Sequence, residues 1–458
     1  MNNAIIEYFE SQKNKRIAFC GLGRSNLPLI EMYKKYGAKV IACDKRSFNE
    51  LGETAIELKN NDVELSLGDT YLDNLKADLL FRTPGMNYNS PELMALKANG
   101  VQITSEMETF FEICPCKIIA VTGSDGKTTT TTIISELLKA EGKTVHLGGN
   151  IGKPLLPEIF NIKADDYAVV ELSSFQLISM KKSPDIAVVT NITPNHLDVH
   201  KDMEEYIEAK RNIVKYQNED CITVLNYNND ITRSFADSLS SKVYYFNECT
   251  NENTCIYRKD SAIFVNDEKV LDVSDIAIPG EHNVENYMAA IGAVWGIVSA
   301  DNIANVAKSF GGVAHRAELV RELNGVKYYN DSIASSPTRT IKGMLSLFEQ
   351  KIILICGGYD KNIPYAPLGP VVNDKVKALI LLGATASKIE SAVKEAENYK
   401  VESIDIYNVK TLEEAVKRSF DIATNGDIVS LSPASASFDM FKDFEHRGNY
   451  FKSLVNAL

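Results

Sequence analysis

The part of this sequence that most constrains its fold is a glycine turn between an apolar strand and a helix. Residues 117–121 are mostly apolar, the turn holds Gly123 and Gly126, and a helix begins near Lys127. Backbone N–H groups of such a turn point at a polyphosphate, the lysine meets its outer phosphates, and a hydroxyl such as that of Thr128 can bind Mg²⁺. The pattern therefore predicts a nucleotide-binding α/β domain. The alternative is a glycine turn with a purely structural role.

The spacing of this turn differs from that of the common phosphate-binding loop, which has four residues between its glycines. Ser124 and Asp125 alone separate Gly123 from Gly126, and Val121 occupies the position of the usual first glycine. The sequence therefore predicts a short variant of the loop.

Length and composition limit the class of protein. A chain of 458 residues predicts about three domains of roughly 150 residues each. Its first residues are polar, and no run of about 18 apolar residues occurs, so we expect no export signal and no membrane span. Eight scattered cysteines favour reduced thiols, and hence a cytoplasmic location.

The charge of the chain limits its partners. A formal net charge of −12 argues against nucleic acid, because phosphate backbones select basic surfaces. An anionic substrate would require cations gathered at one cleft. The sequence offers Arg82, Lys127, Arg316 and Lys361 as candidates.

The beginning of the chain has the βαβ pattern of a Rossmann-like domain. Residues 16–20 form an apolar strand that runs into Gly21 and Gly23, and a second strand, 39–43, is followed by Asp44. Asn26 replaces the third glycine of the dinucleotide fingerprint. NAD, another nucleotide and a structural role therefore all stay open for this unit.

The same pattern restarts at residues 117 and 326, which predicts three consecutive α/β domains. We expect a Rossmann-like domain over 1–105 and a central domain over 106–312 that is similar to phosphate-loop ATPases and has a mostly parallel sheet. A second Rossmann-like domain is expected over 313–458. Strands 167–172 and 186–192 carry few charges, as expected of parallel strands buried on both faces.

Polar residues follow the strands of the predicted central domain, at the edge where ligands of α/β sheets gather. Glu171 ends one strand and is a candidate Mg²⁺ ligand, because an acid beside a phosphate-binding loop commonly supports the metal. His196 follows the next strand and is either a functional residue or a loop histidine. Lys210 lies on a predicted helix, where a lysine is most often an exposed surface residue.

The ordered motifs of the chain resemble those of the Mur ligases over essentially its whole length. In chain order they are residues 122–128, Gly149-Asn150-Ile151-Gly152, residues 171–176, Asn195-His196-Leu197-Asp198, Ala209-Lys210, residues 280–286, His315-Arg316 and Asn330-Asp331-Ser332. Residues 431–438 and 441–448 are similar to the members of that family that add D-glutamate.

This resemblance implies a monomeric three-domain enzyme that joins D-glutamate to UDP-N-acetylmuramoyl-L-alanine at the expense of ATP, during peptidoglycan synthesis. The acceptor carboxylate would first become an acyl phosphate, which the amine of D-glutamate then attacks. The resemblance also implies two Mg²⁺ ions. One would be held by Thr128 and Glu171, and the other by His196 and Lys210, with Lys210 carbamylated because an ammonium group cannot bind Mg²⁺.

The resemblance assigns residues of this sequence to each ligand. Catalysis would involve Lys127, Glu171, His196, Lys210, Asp331 and Lys361. ATP would be bound by Gly123, Ser124, Asp125, Gly126, Lys127, Thr128, Thr129, Asn283, Asn286, Arg316 and Asp331, although Asn283 and Asn286 could also cap their helix. The UDP substrate would be bound by Gly23, Arg24, Ser25, Asp44, Arg46, Thr83, Gly85, Asn150 and Ser173. D-Glutamate would be bound by Ser335, Lys361, Ser437 and Phe444.

One position departs from the family pattern, and two other functions compete with this one. Many relatives carry a lysine where this chain has Ile333, which puts the detail of amino-acid binding in doubt. A folylpolyglutamate synthase shares the short phosphate-binding loop but would not be expected to carry the unit with Gly21, Gly23 and Asp44. A non-enzymatic nucleotide-binding regulator would not need His196, Lys210 and Asp331 together.

Overall fold

Three β-sheets organise the described part of the chain. The computed structural model describes residues 3–194, 199–248 and 254–458, and these residues form sheets of five, nine and six strands. Two compact units contain the sheets. The first comprises the chain to Asp275 together with Glu281–Lys308, and the second comprises Ile276–Gly280 and Ser309–Leu458.

The first sheet is entirely parallel, with the strand order β3-β2-β1-β4-β5. Its strands are β1 (Arg16–Cys20), β2 (Lys39–Asp44), β3 (Glu64–Leu67), β4 (Leu79–Arg82) and β5 (Gln102–Thr104). The accompanying helices are α1 (Asn3–Glu10), α2 (Leu27–Lys35), α3 (Phe48–Leu51), α4 (Glu53–Asn60), α5 (Pro91–Ala98) and α6 (Glu106–Ile113). The strand order reverses between β1 and β4, which is where ligands of such sheets bind.

The second sheet belongs to the same compact unit and has the order β14-β13-β12-β11-β10-β9-β6-β8-β7. Its strands are β6 (Lys117–Thr122), β7 (Val145–Gly149), β8 (Tyr167–Glu171), β9 (Ile186–Val189), β10 (Ile222–Asn226), β11 (Lys242–Phe246), β12 (Thr254–Lys259), β13 (Ala262–Val265) and β14 (Glu268–Asp272). Its helices are α7 (Lys127–Ala140), α8 (Ser174–Leu177), α9 (Met203–Lys215), α10 (Asp230–Arg233), α11 (Glu281–Val294) and α12 (Ala300–Ser309).

The third sheet forms the second unit, with the order β15-β16-β20-β17-β18-β19. Its strands are β15 (Glu318–Leu323), β16 (Val326–Asn330), β17 (Ile352–Cys356), β18 (Val376–Leu381), β19 (Asp405–Asn408) and β20 (Ile428–Leu431). Its helices are α13 (Pro337–Lys342), α14 (Met344–Leu347), α15 (Leu368–Lys375), α16 (Ala386–Lys394), α17 (Leu412–Ile422) and α18 (Phe444–Asn456).

The central strands are buried on both faces, which explains their continuous apolar sequences. In β1, Ile17 through Cys20 are fully buried, and in β17 all residues from Ile352 to Cys356 are buried. Since a strand directs alternate side chains to opposite faces, helices must cover both sides of each sheet. The functional residues are therefore left at the strand ends.

The α/β class and the mostly parallel sheets predicted from the sequence are confirmed, whereas a hairpin in the second sheet was missed. Strand β13 is antiparallel to both of its neighbours, β12 and β14. The two turns that join them contain Asp260 and Asn266, each with a positive φ, a conformation that Asp and Asn tolerate. Strand β15 is likewise antiparallel to β16. The division into three domains stays a prediction.

The described residues bear on two predictions made from composition. In the described residues, no helix is long and apolar enough to cross a bilayer. Six of the cysteines that the structure describes are free thiols, but Cys255 is disulfide-bonded. The prediction that all thiols are reduced is therefore wrong at Cys255, because sequence spacing does not show which cysteines the fold brings together.

Candidate active site

The phosphate-binding loop after β6 requires glycine at both of its glycine positions. Gly126 has a φ of 78° and lies immediately before α7. A Cβ atom on Gly126 would collide with Asn286 Oδ1, and one on Gly123 would collide with Thr190 Oγ1. The tight turn therefore depends on these glycines and on the close approach of α11 and of the segment after β9.

Neighbouring segments hold the loop by hydrogen bonds to its polar groups. Thr190 Oγ1 donates to Asp125 O at 2.6 Å, and Asp125 N donates to Asn191 Oδ1 at 2.9 Å. Ser124 Oγ lies 2.9 Å from the hydroxyl oxygen of Tyr206, which α9 supplies. These contacts fix the loop before any ligand arrives. These contacts were not predicted from the sequence, although Thr190 and Asn191 follow a buried strand.

Lys127 begins α7 and lies against the loop that it follows. Its Nζ donates to Gly123 O at 3.0 Å and to Ser124 O at 2.9 Å. The ammonium group is thus held at the mouth of the loop, where a transferring phosphate would be bound. Thr129, which was also predicted to bind ATP, is half-buried in the first turn of α7.

Glu171 meets Thr128 because β8 pairs directly with β6, with Val121 opposite Glu171. Thr128 Oγ1 donates to Glu171 Oε2 at 2.6 Å, and Asn150 Nδ2 donates to Glu171 Oε1 at 2.7 Å. Glu171 is buried, with 1% of its surface exposed. A hydroxyl and a carboxylate so close together fit the oxygen ligands that Mg²⁺ prefers.

At this position the described residues offer a cation the hydroxyl of Thr128 and the carboxylate of Glu171. Within the described ranges, no group of three or more His, Cys, Asp or Glu side chains is placed to hold a metal ion. A Mg²⁺ ion at Thr128 and Glu171 would therefore take its other ligands from phosphates and water, as Mg²⁺ commonly does in phosphoryl-transfer sites.

Lys210 projects from α9 into the same region and is buried, with 2% of its surface exposed. Its Nζ donates to Gly123 O at 2.8 Å and lies 4.8 Å from the centre of the Tyr206 ring. Burial and, to a smaller extent, the nearby Lys127 lower the pKa of Lys210 to about 7, although Glu171 and Asp125 oppose the shift. The sequence-predicted His196 lies outside the described residues.

His200 was not predicted as a functional residue, yet it is buried beside this site. Its Nε2 lies 2.8 Å from Ser174 Oγ, and its ring stacks on Phe175 with centroids 5.0 Å apart. His200 therefore orients the segment that follows Glu171. The position of His200 after a predicted strand of the central domain was the one feature of the sequence that could have indicated a role at this site.

The two asparagines predicted to contact adenine are near the start of α11. Asn286 Nδ2 donates to Asn283 Oδ1 at 3.0 Å, and Thr130 Oγ1 donates to Asn286 Oδ1 at 3.2 Å. Both side chains thus help to pack α11 against α7. Contact with adenine stays a prediction.

At the first sheet, Asp44 and Arg46 form a pair beside the loop after β1. Arg46 Nε donates to Asp44 Oδ1 at 3.0 Å, and Leu22 N donates to Asp44 Oδ2 at 2.7 Å. Burial raises the pKa of Asp44, but the hydrogen bonds from Arg46 and Leu22 outweigh it and hold that pKa at about 2. Asp44 is therefore an anion that orders the loop.

The other residues predicted to bind the UDP substrate occupy turns near this loop or short caps. Arg24 and Gly23 are exposed and Ser25 is half-buried. Thr83 and Gly85 belong to a turn in which Met86 N donates to Thr83 O at 3.0 Å. Ser173 caps the short α8. The predicted Asn150 instead follows β7 of the second sheet and donates to Glu171.

In the second unit, Asp331 follows β16 and is buried beside the neighbouring strand β20. Ser432 Oγ donates to Asp331 Oδ2 at 2.7 Å, and Ala317 N donates to Oδ1 at 3.2 Å. Burial raises the pKa of Asp331 to about 6, against the effect of these two donors. Arg316, adjacent to Ala317, is exposed.

The residues predicted to bind the amino acid come from loops at the carboxyl ends of the third sheet. Tyr359 N donates to Ala436 O at 2.9 Å, which joins the loop of Lys361 to that of Ser437. Lys361 is exposed, Ser335 is half-buried and Ser437 is buried. Phe444 begins α18, and its carbonyl accepts a hydrogen bond of 2.8 Å from Ser332 Oγ.

Arg447 holds these loops together and was not predicted. It is buried, and burial lowers its pKa to about 10. Its Nη1 donates to Ala436 O at 2.9 Å, and its Nη2 donates to Ser332 O at 2.9 Å. Nothing in the local sequence of α18 shows that this arginine is buried and not exposed.

The glycine loop, Lys127 and the paired Thr128 and Glu171 define a class of protein, an α/β enzyme that acts on a nucleoside triphosphate. Comparison with known proteins narrows this class. The family model described as "Mur ligase middle domain" matches residues 121–294, and the one described as "Mur ligase, glutamate ligase domain" matches residues 315–435.

Relatives and solved structures agree with these matches. The chain is 54% identical to the UDP-N-acetylmuramoylalanine–D-glutamate ligase of Acetivibrio thermocellus, with 100% of both chains covered. It is 49% identical to the protein of that name from Clostridium perfringens, again with 100% of both covered. The structure of a UDP-N-acetylmuramate-alanine ligase from Thermotoga maritima has the same fold, with a TM-score of 0.57 at 18% identity over 97% of this chain and 100% of that one. The chain belongs to the Mur ligase family, whose members are ATP-dependent ligases.

Proposed function

We propose that this chain joins D-glutamate to UDP-N-acetylmuramoyl-L-alanine with conversion of ATP to ADP and phosphate, as a step of peptidoglycan precursor synthesis. The full-length identity of 54% to a relative that bears this activity in its name supports the choice of substrates. The gathering of Lys127, Thr128, Glu171 and Lys210 around one loop carries the choice of chemistry. Because the reaction consumes ATP, we place it in the cytoplasm.

The reaction needs an activated carboxylate, since an amine does not displace oxide from a carboxylate at neutral pH. A carboxylate oxygen of the acceptor attacks the terminal phosphorus of ATP, ADP leaves, and an acyl phosphate forms. The amine of D-glutamate then attacks the acyl carbon, the tetrahedral oxyanion collapses, and phosphate leaves with the former carboxylate oxygen. The amine loses its proton to give the amide.

The protein accelerates the first step by positioning and by charge. Lys127 Nζ, held at the mouth of the loop, neutralises charge on the phosphoryl group during its transfer. Backbone N–H groups of the loop and of the N-terminus of α7 bind the phosphates. Thr190, Asn191 and Tyr206 keep the loop in the binding conformation, so little reorganisation is needed when the nucleotide binds.

Two Mg²⁺ ions complete the proposal, one at Thr128 and Glu171 and the other at His196 and Lys210. Bound Mg²⁺ would neutralise phosphate charge in the transition state. The arrangement of Thr128 beside Glu171 fits an oxygen-ligated cation. Lys210 fits only as a carbamate, because its ammonium form has no lone pair for a metal.

Carbamylation of Lys210 is chemically reasonable at this position. Neutral lysine adds CO₂ to give a carbamate anion and releases a proton. A buried lysine whose pKa falls to about 7 is neutral for a large fraction of the time at physiological pH. The nearby Lys127 would stabilise the resulting anion.

We further propose that each of the three predicted domains binds one substrate, as the resemblance implies. Residues 1–105 would bind the UDP part, residues 106–312 would bind ATP, and residues 313–458 would bind D-glutamate. Lys361 and the hydroxyls of Ser335 and Ser437 would bind the two carboxylates of the amino acid, since charged and hydroxyl donors suit such groups. The assignment of Arg316 and Asp331 to ATP stays a prediction.

The test is ADP release across a panel of acceptors and amino acids. We expect release to require both UDP-N-acetylmuramoyl-L-alanine and D-glutamate, with Lys361→Ala raising the KM for D-glutamate and Lys388→Ala serving as a matched control. Lys388 pairs with Asp360 on the same side of the third sheet. Equal turnover with L-glutamate, L-lysine or meso-diaminopimelate would contradict the choice of amino acid. Turnover with a folate acceptor, or no acceptor-dependent release at all, would contradict the function.

A further inference from the structure

Arg82 is a buried charged side chain of the first unit. It ends β4 and has 1% of its surface exposed. Its Nη2 donates to Phe175 O at 2.9 Å and to Ser179 Oγ at 2.6 Å. Its Nε and Nη1 are buried without a hydrogen-bond partner among the described residues. Buried polar groups are normally paired, and an unpaired charged donor is costly.

The positive charge of Arg82 also lacks a close counter-ion. The guanidinium forms no ion pair within the described residues and lies 5.3 Å from the centre of the Tyr88 ring. Glu108 acts on it only at longer range, and Glu108 Oε2 already accepts a hydrogen bond of 2.7 Å from Ser105 Oγ. Burial lowers the pKa of Arg82, but a guanidinium stays charged at neutral pH. An anion at Nε and Nη1 would supply both missing partners.

Arg82 lies at the point of the first sheet where a ligand is expected. Strands β1 and β4 are paired with Cys20 opposite Arg82, and the strand order reverses between them. The turns that follow the two strands touch, since a Cβ atom on Gly21 would lie 2.7 Å from Thr83 Cγ2. Ligands of open parallel sheets bind in the crevice at this reversal.

A cavity of about 200 Å³ opens beside Arg82 and is lined by polar groups, among them Arg24, Ser25, Asn150 and Gln176. Helix α2 begins nearby, and no side chain caps its N-terminus, which favours an anion there. Glu106 also lines the cavity. Its Oε1 accepts from Leu155 N and Leu156 N, and burial raises its pKa to about 7, so its negative charge is only partly developed at neutral pH.

We infer that Arg82 binds the diphosphate of the nucleotide-sugar substrate, with Nε and Nη1 donating to phosphate oxygens while Nη2 keeps its contacts to the second sheet. The inference rests on the proposed function, because that function supplies a uridine diphosphate group. A diphosphate offers two charges and several oxygens, which suits the two arginines Arg82 and Arg24 and a helix N-terminus. Arginine is well matched to phosphate because its planar donors can bind two oxygens at once.

A purely structural role would explain only part of the geometry. The two bonds of Nη2 tie the end of β4 to the segment around α8. They leave Nε and Nη1 without a function. A structural role therefore predicts that Arg82 variants lose stability without losing any preference for phosphate.

The experiment compares the dissociation constants of UDP and uridine by titration calorimetry on the full-length chain. The variants are Arg82→Gln, Ser179→Ala and the control Arg211→Gln. Arg211 lies on α9, stacks over Phe235 and pairs with Glu208. We expect Arg82→Gln to weaken UDP binding by about tenfold or more and to leave uridine binding unchanged. Ser179→Ala and Arg211→Gln should bind UDP like the wild type, although Ser179→Ala is expected to melt earlier.

Each outcome separates the inference from the proposed function. If the wild type binds UDP and Arg82→Gln binds it equally well, the inference is wrong and the proposed function stands. If the wild type does not bind UDP, both are wrong. Should Arg82→Gln fail to fold, a crystal structure of the wild type with UDP decides. A phosphate oxygen within about 3.5 Å of Nε or Nη1 supports the inference, and a diphosphate bound elsewhere overturns it.

Discussion

Replacement of Lys127 by alanine is expected to lower the rate of ADP release by at least about a hundredfold while the fold survives. The Nζ of Lys127 is held at the mouth of the phosphate-binding loop by Gly123 O and Ser124 O. A positioned charge at a transferring phosphoryl group stabilises the transition state by roughly 3 kcal/mol or more. The side chain is half-buried and contributes little to the core, so the variant should melt near the wild-type temperature.

The matched control for this prediction is Lys139→Ala. Lys139 lies near the other end of the same helix, α7, and pairs with Glu136 on the surface. Its replacement should leave both ADP release and the circular dichroism spectrum unchanged. A nearly normal rate in Lys127→Ala, together with a native spectrum, would contradict the assignment of Lys127 to the phosphate.

The Lys210→Ala variant is expected to be almost inactive and to regain part of its activity when a short carboxylate such as formate or acetate is added. Lys210 is buried against the loop, and only its carbamate would present anionic oxygens there. The truncated side chain leaves room for a small carboxylate to take that place. Because the amine must be neutral to add CO₂, dependence of the wild type on added bicarbonate should be stronger below pH 7 than above it.

Two observations check this prediction independently of each other. Isotopically labelled bicarbonate should give a carbamate signal in the NMR spectrum of the wild type and none in that of Lys210→Ala. The control Lys215→Ala, altered at an exposed position at the end of the same helix, should behave like the wild type in both assays. Full activity of Lys210→Ala without additives would contradict the role of Lys210.

The α/β class and the central strands could be predicted from the sequence, because strands that are buried on both faces have continuous apolar sequences. Strand β1 has the limits expected from its apolar residues, and β2 extends one residue beyond the expected ones. The turn with Gly123 and Gly126 was also predictable, since the backbone conformation there requires glycine. The antiparallel strands β12 to β14 were missed although β13 is apolar, because their pairing depends on the short turns at Asp260 and Asn266.

The residues that complete the sites were harder to predict because they break the usual relation between charge and exposure. Lys210, Arg82 and Arg447 are buried by contacts with segments far away in the chain. Nothing local distinguishes them from solvated residues, and Lys210 was found only through the resemblance to the family. The bond between Asn150 and Glu171 likewise depends on the pairing of β7 with β8.

The claim that this chain forms an amide through an acyl phosphate is tested most directly by following one oxygen atom. UDP-N-acetylmuramoyl-L-alanine labelled with a heavy oxygen isotope in its carboxylate is incubated with ATP, Mg²⁺ and D-glutamate. The account predicts that each amide formed is accompanied by one labelled oxygen in the released phosphate. Amide with unlabelled phosphate would contradict the acyl phosphate, and absence of the D-glutamyl product would contradict the function itself.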